Sequence, residues 1–306
     1  MRLGADPDQL DRLARSFGEA AARVRESARK VAAAQDRVRG PGGAQRGAYR
    51  VLGETLPPLR GLADRLADRA EDLRRRARFQ RVASTPYPGV VTVHESHAGD
   101  GRWMGRAGPA DAATVVVLVP GVGTHLGHRR RLGREAVRLS AHLTAQHPDH
   151  PVTVYAWLGY DAPDSLLASV DRRPAGDGAR TLATDLRHLR TQGAERVVVV
   201  GHSYGALVAA RAVAVGAEVD ELVLLGAPGL GVDDPALLQL RPGGEVWSAL
   251  EDDDPIAWVA RTGVLHGPDP AVVARPLPTA GHGHSRYLYD QVLLDALAEV
   301  VVDRRG

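Results

Sequence analysis

The sequence contains no cysteine, which removes disulfides, thiolate metal sites and a cysteine nucleophile together. Without a thiol, a side-chain nucleophile must be an oxygen. Aromatic residues are scarce, at 4% with only 2 Phe and 2 Met, so Ala, Leu and Val have to fill the core. No segment approaches the roughly 18 consecutive apolar residues that a membrane helix needs. The start, Met1 to Asp8, carries acids and no apolar run, unlike a secretory signal. A soluble protein made in the cytoplasm is expected. Charge of one sign is not in excess either: 39 basic residues face 37 acidic ones, for a net +2. Lys30 is the only lysine, so the isoelectric point near 9.1 reflects the pKa of arginine. This balance argues against nucleic acid as a partner.

What is present divides into two patterns. A length of 306 residues lies between one large domain and two unequal ones. Apolar residues recur every seventh position at Leu10, Phe17, Val24, Val31 and Val38, with Leu13, Ala20 and Ala34 in the complementary heptad places. This predicts a coiled-coil-like helix. Gly40-Pro41-Gly42-Gly43 breaks it, since proline cannot continue the hydrogen-bond ladder. A second stripe follows at Leu52, Leu59, Leu66 and Leu73, with Leu56, Ala63, Ala70 and Ala77 four residues behind. Two helices joined by a short turn should pack antiparallel. Pro57-Pro58 predicts a kink or a restart in the second. Outer runs such as Asp68-Arg69, Glu71-Asp72 and Arg74-Arg75-Arg76 read as a solvated face rather than a nucleic-acid patch.

After the proline-rich boundary Thr85-Pro86-Tyr87-Pro88-Gly89 the pattern changes. Residues 114–119, 152–155, 196–200 and 222–225 are β-branched or apolar runs, as expected of parallel strands covered on both faces. Helical stretches near 129–146 and 179–192, and one opening at Gly205, alternate with them. The expected architecture is an N-terminal antiparallel helical hairpin over residues 1–84, then an α/β domain over 85–306 built on a doubly wound, mostly parallel sheet.

Chemistry concentrates after the strand at Val197 to Val200. Gly201-His202-Ser203-Tyr204-Gly205 matches G-x-S-x-G and runs into the small-residue helix Ala206-Leu207-Val208-Ala209-Ala210. That placement is the strand-to-helix nucleophile elbow, whose serine sits on a strained turn at a helix N-terminus. A serine hydroxyl needs a base, and the base an orienting carboxylate, in the chain order Ser, acid, His. The acidic cluster Glu251-Asp252-Asp253-Asp254 follows the expected strand 245–250. Asp254, beside Pro255, is chosen over Asp253 and Asp252, although one or two of these acids could simply cap the next helix. Within Gly281-His282-Gly283-His284-Ser285, His284, 30 residues past Asp254, is the expected base and His282 the alternative. A metal pair at these histidines lacks a third ligand nearby, so no metal is expected.

The glycine-rich loop Val119-Pro120-Gly121-Val122-Gly123-Thr124 can aim main-chain donors at a developing oxyanion, with the N–H groups of Val122 and Tyr204 as expected donors. Read as a dinucleotide fingerprint, the same glycines want an acid about 20 residues on. The candidate Asp161 lies 40 residues past Gly121, so no cofactor is expected.

Taken together, residues about 90 to 302 resemble the α/β-hydrolases, and among them a family of α/β-hydrolases common in high-GC Gram-positive bacteria and often fused behind a helical hairpin. The residues carrying the resemblance are Pro120 to Thr124, Trp157-Leu158-Gly159-Tyr160-Asp161-Ala162-Pro163, Gly201 to Gly205, Asp254-Pro255-Ile256, His266-Gly267-Pro268-Asp269-Pro270 and Gly283-His284-Ser285-x-Tyr287. The resemblance implies a Ser203, Asp254 and His284 triad. Gly121, Gly123, Tyr160 and Asp161 are expected to line the substrate site, with packing or a turn as the other role for the last two. Residues about 8 to 80 resemble the helical-hairpin proteins handled by type VII secretion. Gly47-Ala48-Tyr49 stands in the turn region where those carry Trp-x-Gly, and the Tyr-x-x-x-acid tag is absent. That resemblance implies a partner-binding hairpin, as a homodimer or with another helical partner, and a leaderless type VII-like export route as the alternative to the cytoplasm. The expected activity is esterase-like acyl transfer on a small ester-like molecule. Thioester or halide chemistry on the same scaffold is one alternative; a binding module in which the hairpin is the functional part is another.

Overall fold

The computed structural model describes residues 7–84, 88–96, 101–165, 168–251, 254, 256, 260, 262–263, 265–281 and 283–302. Asp252, Asp253 and His282 lie outside the described residues. The chain forms two compact units, Ala5–Val82 and one that contains Ala83–Gly306.

The first unit is the helical pair α1 (Pro7–Arg37) and α2 (Gly43–Ser84). Its seam differs from the expected one. Among the described residues, those buried are Ala14, Ala21 and Ala28 on α1, and Leu56, Ala63, Ala70, Leu73 and Ala77 on α2. The larger Leu10, Phe17, Val24, Val31 and Val38 are only half-buried, and Leu13 is 45% exposed. Alanines let two helices approach closely, and side chains as large as Leu or Phe then fit only along the flanks. Two further expectations are corrected. The helix α2 does not restart at Pro57 and Pro58 but continues through both, and their side chains are exposed. Gly47-Ala48-Tyr49 lies inside α2, and the turn occupies residues 38–42.

The second unit is built on an eight-stranded sheet: β1 (Val91–Ser96), β2 (Arg102–Ala107), β3 (Thr114–Val119), β4 (Val152–Leu158), β5 (Arg196–His202), β6 (Glu221–Leu225), β7 (Glu245–Ala249) and β8 (Arg275–Pro276). Their order is β1-β2-β4-β3-β5-β6-β7-β8. The pairs from β4 to β8 are parallel, and β1 and β2 form an antiparallel edge. No apolar run in the sequence announces that edge. Among the described residues, the longer helices of this unit are α3 (Arg129–Gln146), α4 (Arg173–Thr191), α5 (Tyr204–Ala214) and α6 (Gln291–Val302).

All residues of β3, β4 and β6 are buried, as covering on both faces demands. Alternate residues serve opposite layers. Val115, Val117, Val197, Val199, Leu222 and Leu224 pack with the apolar faces of α4 and α5. Val116, Leu118, Val198, Val200, Val223 and Leu225 pack with Leu132, Leu139 and Leu143 of α3 and Leu293, Leu294 and Leu297 of α6. Each fully buried leucine is worth roughly 2 kcal/mol of transfer free energy, so two such layers fix the strand ends that carry the site. Among the described residues no helix is long and apolar enough to cross a membrane.

Candidate active site

Ser203 follows β5 directly and is the N-cap residue of α5, with φ 55° and ψ −125°, the single left-handed backbone among the described non-glycine residues. A residue with a Cβ persists there only where its surroundings over-determine it. They do: the Ser203 N–H donates to the Leu225 carbonyl at 2.8 Å, and α5 starts on the next residue. Two glycines make room. A Cβ on Gly205 would stand 2.2 Å from the Val119 carbonyl oxygen, and one on Gly121 would stand 2.8 Å from the Ser203 Cβ.

Beside this turn, His284 Nε2 lies 2.9 Å from Ser203 Oγ, and His284 Nδ1 lies 2.8 Å from Asp254 Oδ2. An ionised carboxylate can only accept, so Nδ1 carries the proton and Nε2 accepts from the serine hydroxyl. The chain thus runs from Ser203 through His284 to Asp254. Asp254 is buried at 2% exposure and its other oxygen, Oδ1, accepts from the Ile256 N–H at 2.8 Å. One oxygen of Asp254 thus meets the main chain just after it and the other meets His284. Burial pushes this carboxyl up, but the hydrogen bonds from His284, the Ile256 N–H and Tyr287 outweigh it and hold the group below its ordinary range.

Several further residues support this hydrogen-bond chain. The Tyr287 hydroxyl donates to Asp254 Oδ2 at 2.7 Å and accepts from the Glu251 N–H at 3.1 Å. Burial pushes the Tyr287 pKa up, which keeps it a donor. Buried Glu251 accepts from the Gly283 N–H and so fixes the loop before His284. His202 Nε2–H donates to the His284 carbonyl at 2.6 Å, and burial lowers its pKa to about 4, so it stays neutral. Tyr287 is marked only by its place in Gly283-His284-Ser285-x-Tyr287. Nothing in spacing marks Glu251 or His202 as supports.

The glycine-rich loop after β3 borders the same cavity, of about 540 Å³, which is lined by Gly121, Val122, Ser203 and His284 among others. Tyr204 is the first residue of α5, where an N–H has no intrahelical acceptor. Gly123 is not brought to this cavity: its N–H donates to the Pro163 carbonyl at 2.7 Å and braces the loop. Tyr160 is also elsewhere. It is buried, stacked between Trp157 and Tyr204, and its hydroxyl donates to the Pro120 carbonyl at 2.7 Å, so it packs beneath the loop. Asp161 is exposed and does not line the cavity. Downstream, His125 Nδ1 accepts from the Gly127 N–H and His128 Nδ1 from the His125 N–H. Burial lowers both pKa values, that of His128 to about 4, and both rings act as neutral caps. Among the described residues no three His, Asp or Glu side chains cluster closely enough to hold a metal ion.

A mostly parallel sheet whose strand ends bear a serine elbow, a late histidine and an intervening acid is the architecture of the α/β hydrolases. The sequence matches the profile of the alpha/beta hydrolase family over residues 103–264, just over half of the chain, and the protein belongs to that family. Uncharacterized protein Rv2079 of Mycobacterium tuberculosis strain H37Rv is 31% identical over 189 residues, covering 58% of this chain and 28% of that protein. Uncharacterized protein Rv0963c of the same strain is 37% identical over 95 residues, covering 30% of this chain and 36% of that protein. The chain thus spans about a third of the length of these curated relatives. Among solved structures, dienelactone hydrolase from Anabaena variabilis aligns with a TM-score of 0.42 at 17% identity, covering 69% of this chain and 93% of that one.

Proposed function

We propose that this α/β hydrolase is a serine hydrolase that cleaves a carboxylic ester, or a related acyl bond, through an acyl-enzyme. The observation that carries the reading is the hydrogen-bond chain from Ser203 through His284 to buried Asp254, starting on a strained elbow residue. As His284 Nε2 takes the hydroxyl proton, Ser203 Oγ forms a bond to the carbonyl carbon and the carbonyl oxygen becomes an oxyanion. The N–H groups of Val122 and Tyr204 are the proposed donors to it. Collapse breaks the bond to the alcohol oxygen, which leaves with the proton from His284. Water, deprotonated by the same Nε2, then adds to the acyl carbon and releases the acid and free Ser203. Asp254 keeps His284 in the Nδ1–H tautomer and stabilises the imidazolium throughout. Gly121 has no side chain to block the approach of the carbonyl to Ser203.

Short-acyl para-nitrophenyl esters test this directly. Wild-type protein should show a burst of nitrophenol equal to the enzyme when deacylation limits turnover, and Ser203→Ala should show neither burst nor turnover. Steady hydrolysis by a folded Ser203→Ala protein would overturn the proposal. A second reading, in which the helical pair is a partner-binding module, is favoured by the half-buried Leu10, Phe17, Val24 and Val31 along α1. It expects a partner to co-purify through residues 1–80 and the cellular phenotype to survive Ser203→Ala.

A further inference from the structure

We infer that the ester taken by this site carries an anionic group close to the scissile bond, read by Arg131 and Arg134. The inference rests on the serine-hydrolase reading above and narrows its substrate class. The cavity holding Ser203 and His284 has two chemically different walls. Leu118, Val200, Leu225 and Leu132 make one of them, continuous with the apolar layer between the sheet and α3. The other is the first turns of α3, which present Arg131, Arg134 and Glu135 to the same space. Two guanidiniums against one carboxylate leave the lining with an excess positive charge.

Arg131 is also held in place. One Nη donates to Thr124 Oγ1 at 3.1 Å and the other to Glu135 Oε1 at 3.3 Å. Thr124 is buried and belongs to the same loop as Gly121 and Val122, so the guanidinium is tied to the segment beside the nucleophile. An Arg131 and Glu135 pair alone would read as an ordinary i, i+4 helix-surface bridge. That reading accounts neither for the bond to the buried Thr124 nor for a second cation on the same wall. A guanidinium has five N–H donors in a planar fork suited to carboxylate or phosphate, and the Arg131 side chain is 44% exposed, open to a ligand. A cationic wall beside a low-dielectric one concentrates anions at the mouth. The apolar wall takes a short to medium acyl chain while the charge stays at the α3 side.

The test compares two matched pairs on the full chain: para-nitrophenyl butyrate with mono-para-nitrophenyl glutarate, whose charge is on the acyl side, and butyrylglycerol with butyrylglycerol phosphate, whose charge is on the alcohol side. At least one charged member should be preferred in kcat/KM by about tenfold, the size of one modest charge-assisted contact. That preference should fall towards unity in Arg131→Gln and in Arg134→Gln, and shrink as salt rises. Arg134 is exposed, so its variant keeps the test sound if Arg131→Gln folds poorly. Hydrolysis of the neutral esters with no preference for either charged partner would overturn this inference and leave the serine-hydrolase reading intact. So would a preference that survives both substitutions. Failure to hydrolyse any of the four, with no fluorophosphonate labelling, would overturn both.

Discussion

Asp254→Asn is the substitution whose consequence follows most fully from the geometry. The carboxylate makes three contacts: Oδ1 accepts from the Ile256 N–H at 2.8 Å, and Oδ2 accepts from His284 Nδ1 at 2.8 Å and from the Tyr287 hydroxyl at 2.7 Å. An asparagine oxygen that keeps the Ile256 contact puts its NH₂ where Oδ2 stood, facing two donors. His284 can relieve the clash only by moving its proton to Nε2. The atom facing Ser203 Oγ then donates where it should accept, and the serine has no base. Turnover should fall by roughly 10³ to 10⁴, or about 4 to 5.5 kcal/mol of lost transition-state stabilisation. Raising the pH should not rescue it, because the defect is a tautomer and not an ionisation. The assay is kcat on para-nitrophenyl butyrate, with near-UV circular dichroism to establish folding. A fold penalty of about 1 to 3 kcal/mol is expected from the disturbed buried contacts. A folded Asp254→Asn protein that keeps more than about a tenth of wild-type kcat would refute this reasoning and move the acid role away from residue 254.

Three further outcomes are expected. Tyr287→Phe removes a donor to the ionised Asp254 and an acceptor for the Glu251 N–H, so kcat should drop roughly 10- to 100-fold with KM little changed; equal kcat would make the tyrosine a packing residue only. Gly121→Ala places a methyl 2.8 Å from the Ser203 Cβ and 2.9 Å from the His202 carbonyl oxygen, and should slow fluorophosphonate labelling by at least about tenfold, measured against a melting curve that establishes the fold. His202, with a pKa lowered by burial from 6.5 to about 4, binds a proton in the unfolded chain at pH values where the folded chain does not. Its contribution is complete above about 6.5 and is lost as pH falls towards about 4, for a total of about 3 kcal/mol. Urea melts should therefore weaken across that range, and His202→Gln should flatten the slope; an unchanged slope contradicts the assignment.

The parts of the molecule that are legible in the sequence are those where local pattern and tertiary role coincide. Val115 to Val119 and Val197 to Val200 are buried on both faces, so their apolar runs announce themselves. The elbow serine is marked by glycines that sterics require, and the order of serine, acid and histidine selects residues that the fold brings to within hydrogen-bonding distance. The edge strands β1 and β2 give no such signal: β1 is almost wholly exposed and β2 includes two arginines and a glycine. The helical seam misleads because hydropathy ranks Leu and Val above Ala, whereas close approach of α1 and α2 favours the smallest side chain. Tyr160 has the sequence position of a mouth residue because it follows a strand end, yet its ring is taken up by stacking on Trp157 and Tyr204. Tyr287, Glu251 and Arg131 act through contacts made across the fold or across a loop, which no spacing rule encodes.

The proposed chemistry depends above all on Ser203 being a nucleophile activated by His284. Treating the 306-residue chain with a fluorophosphonate probe near neutral pH, and mapping the adduct by peptide mass spectrometry, reads that property without any choice of substrate. One adduct is expected, on Ser203, absent in Ser203→Ala and strongly slowed in a His284→Gln protein that remains folded. A folded wild-type protein that stays unlabelled, or one labelled on a different residue, contradicts it.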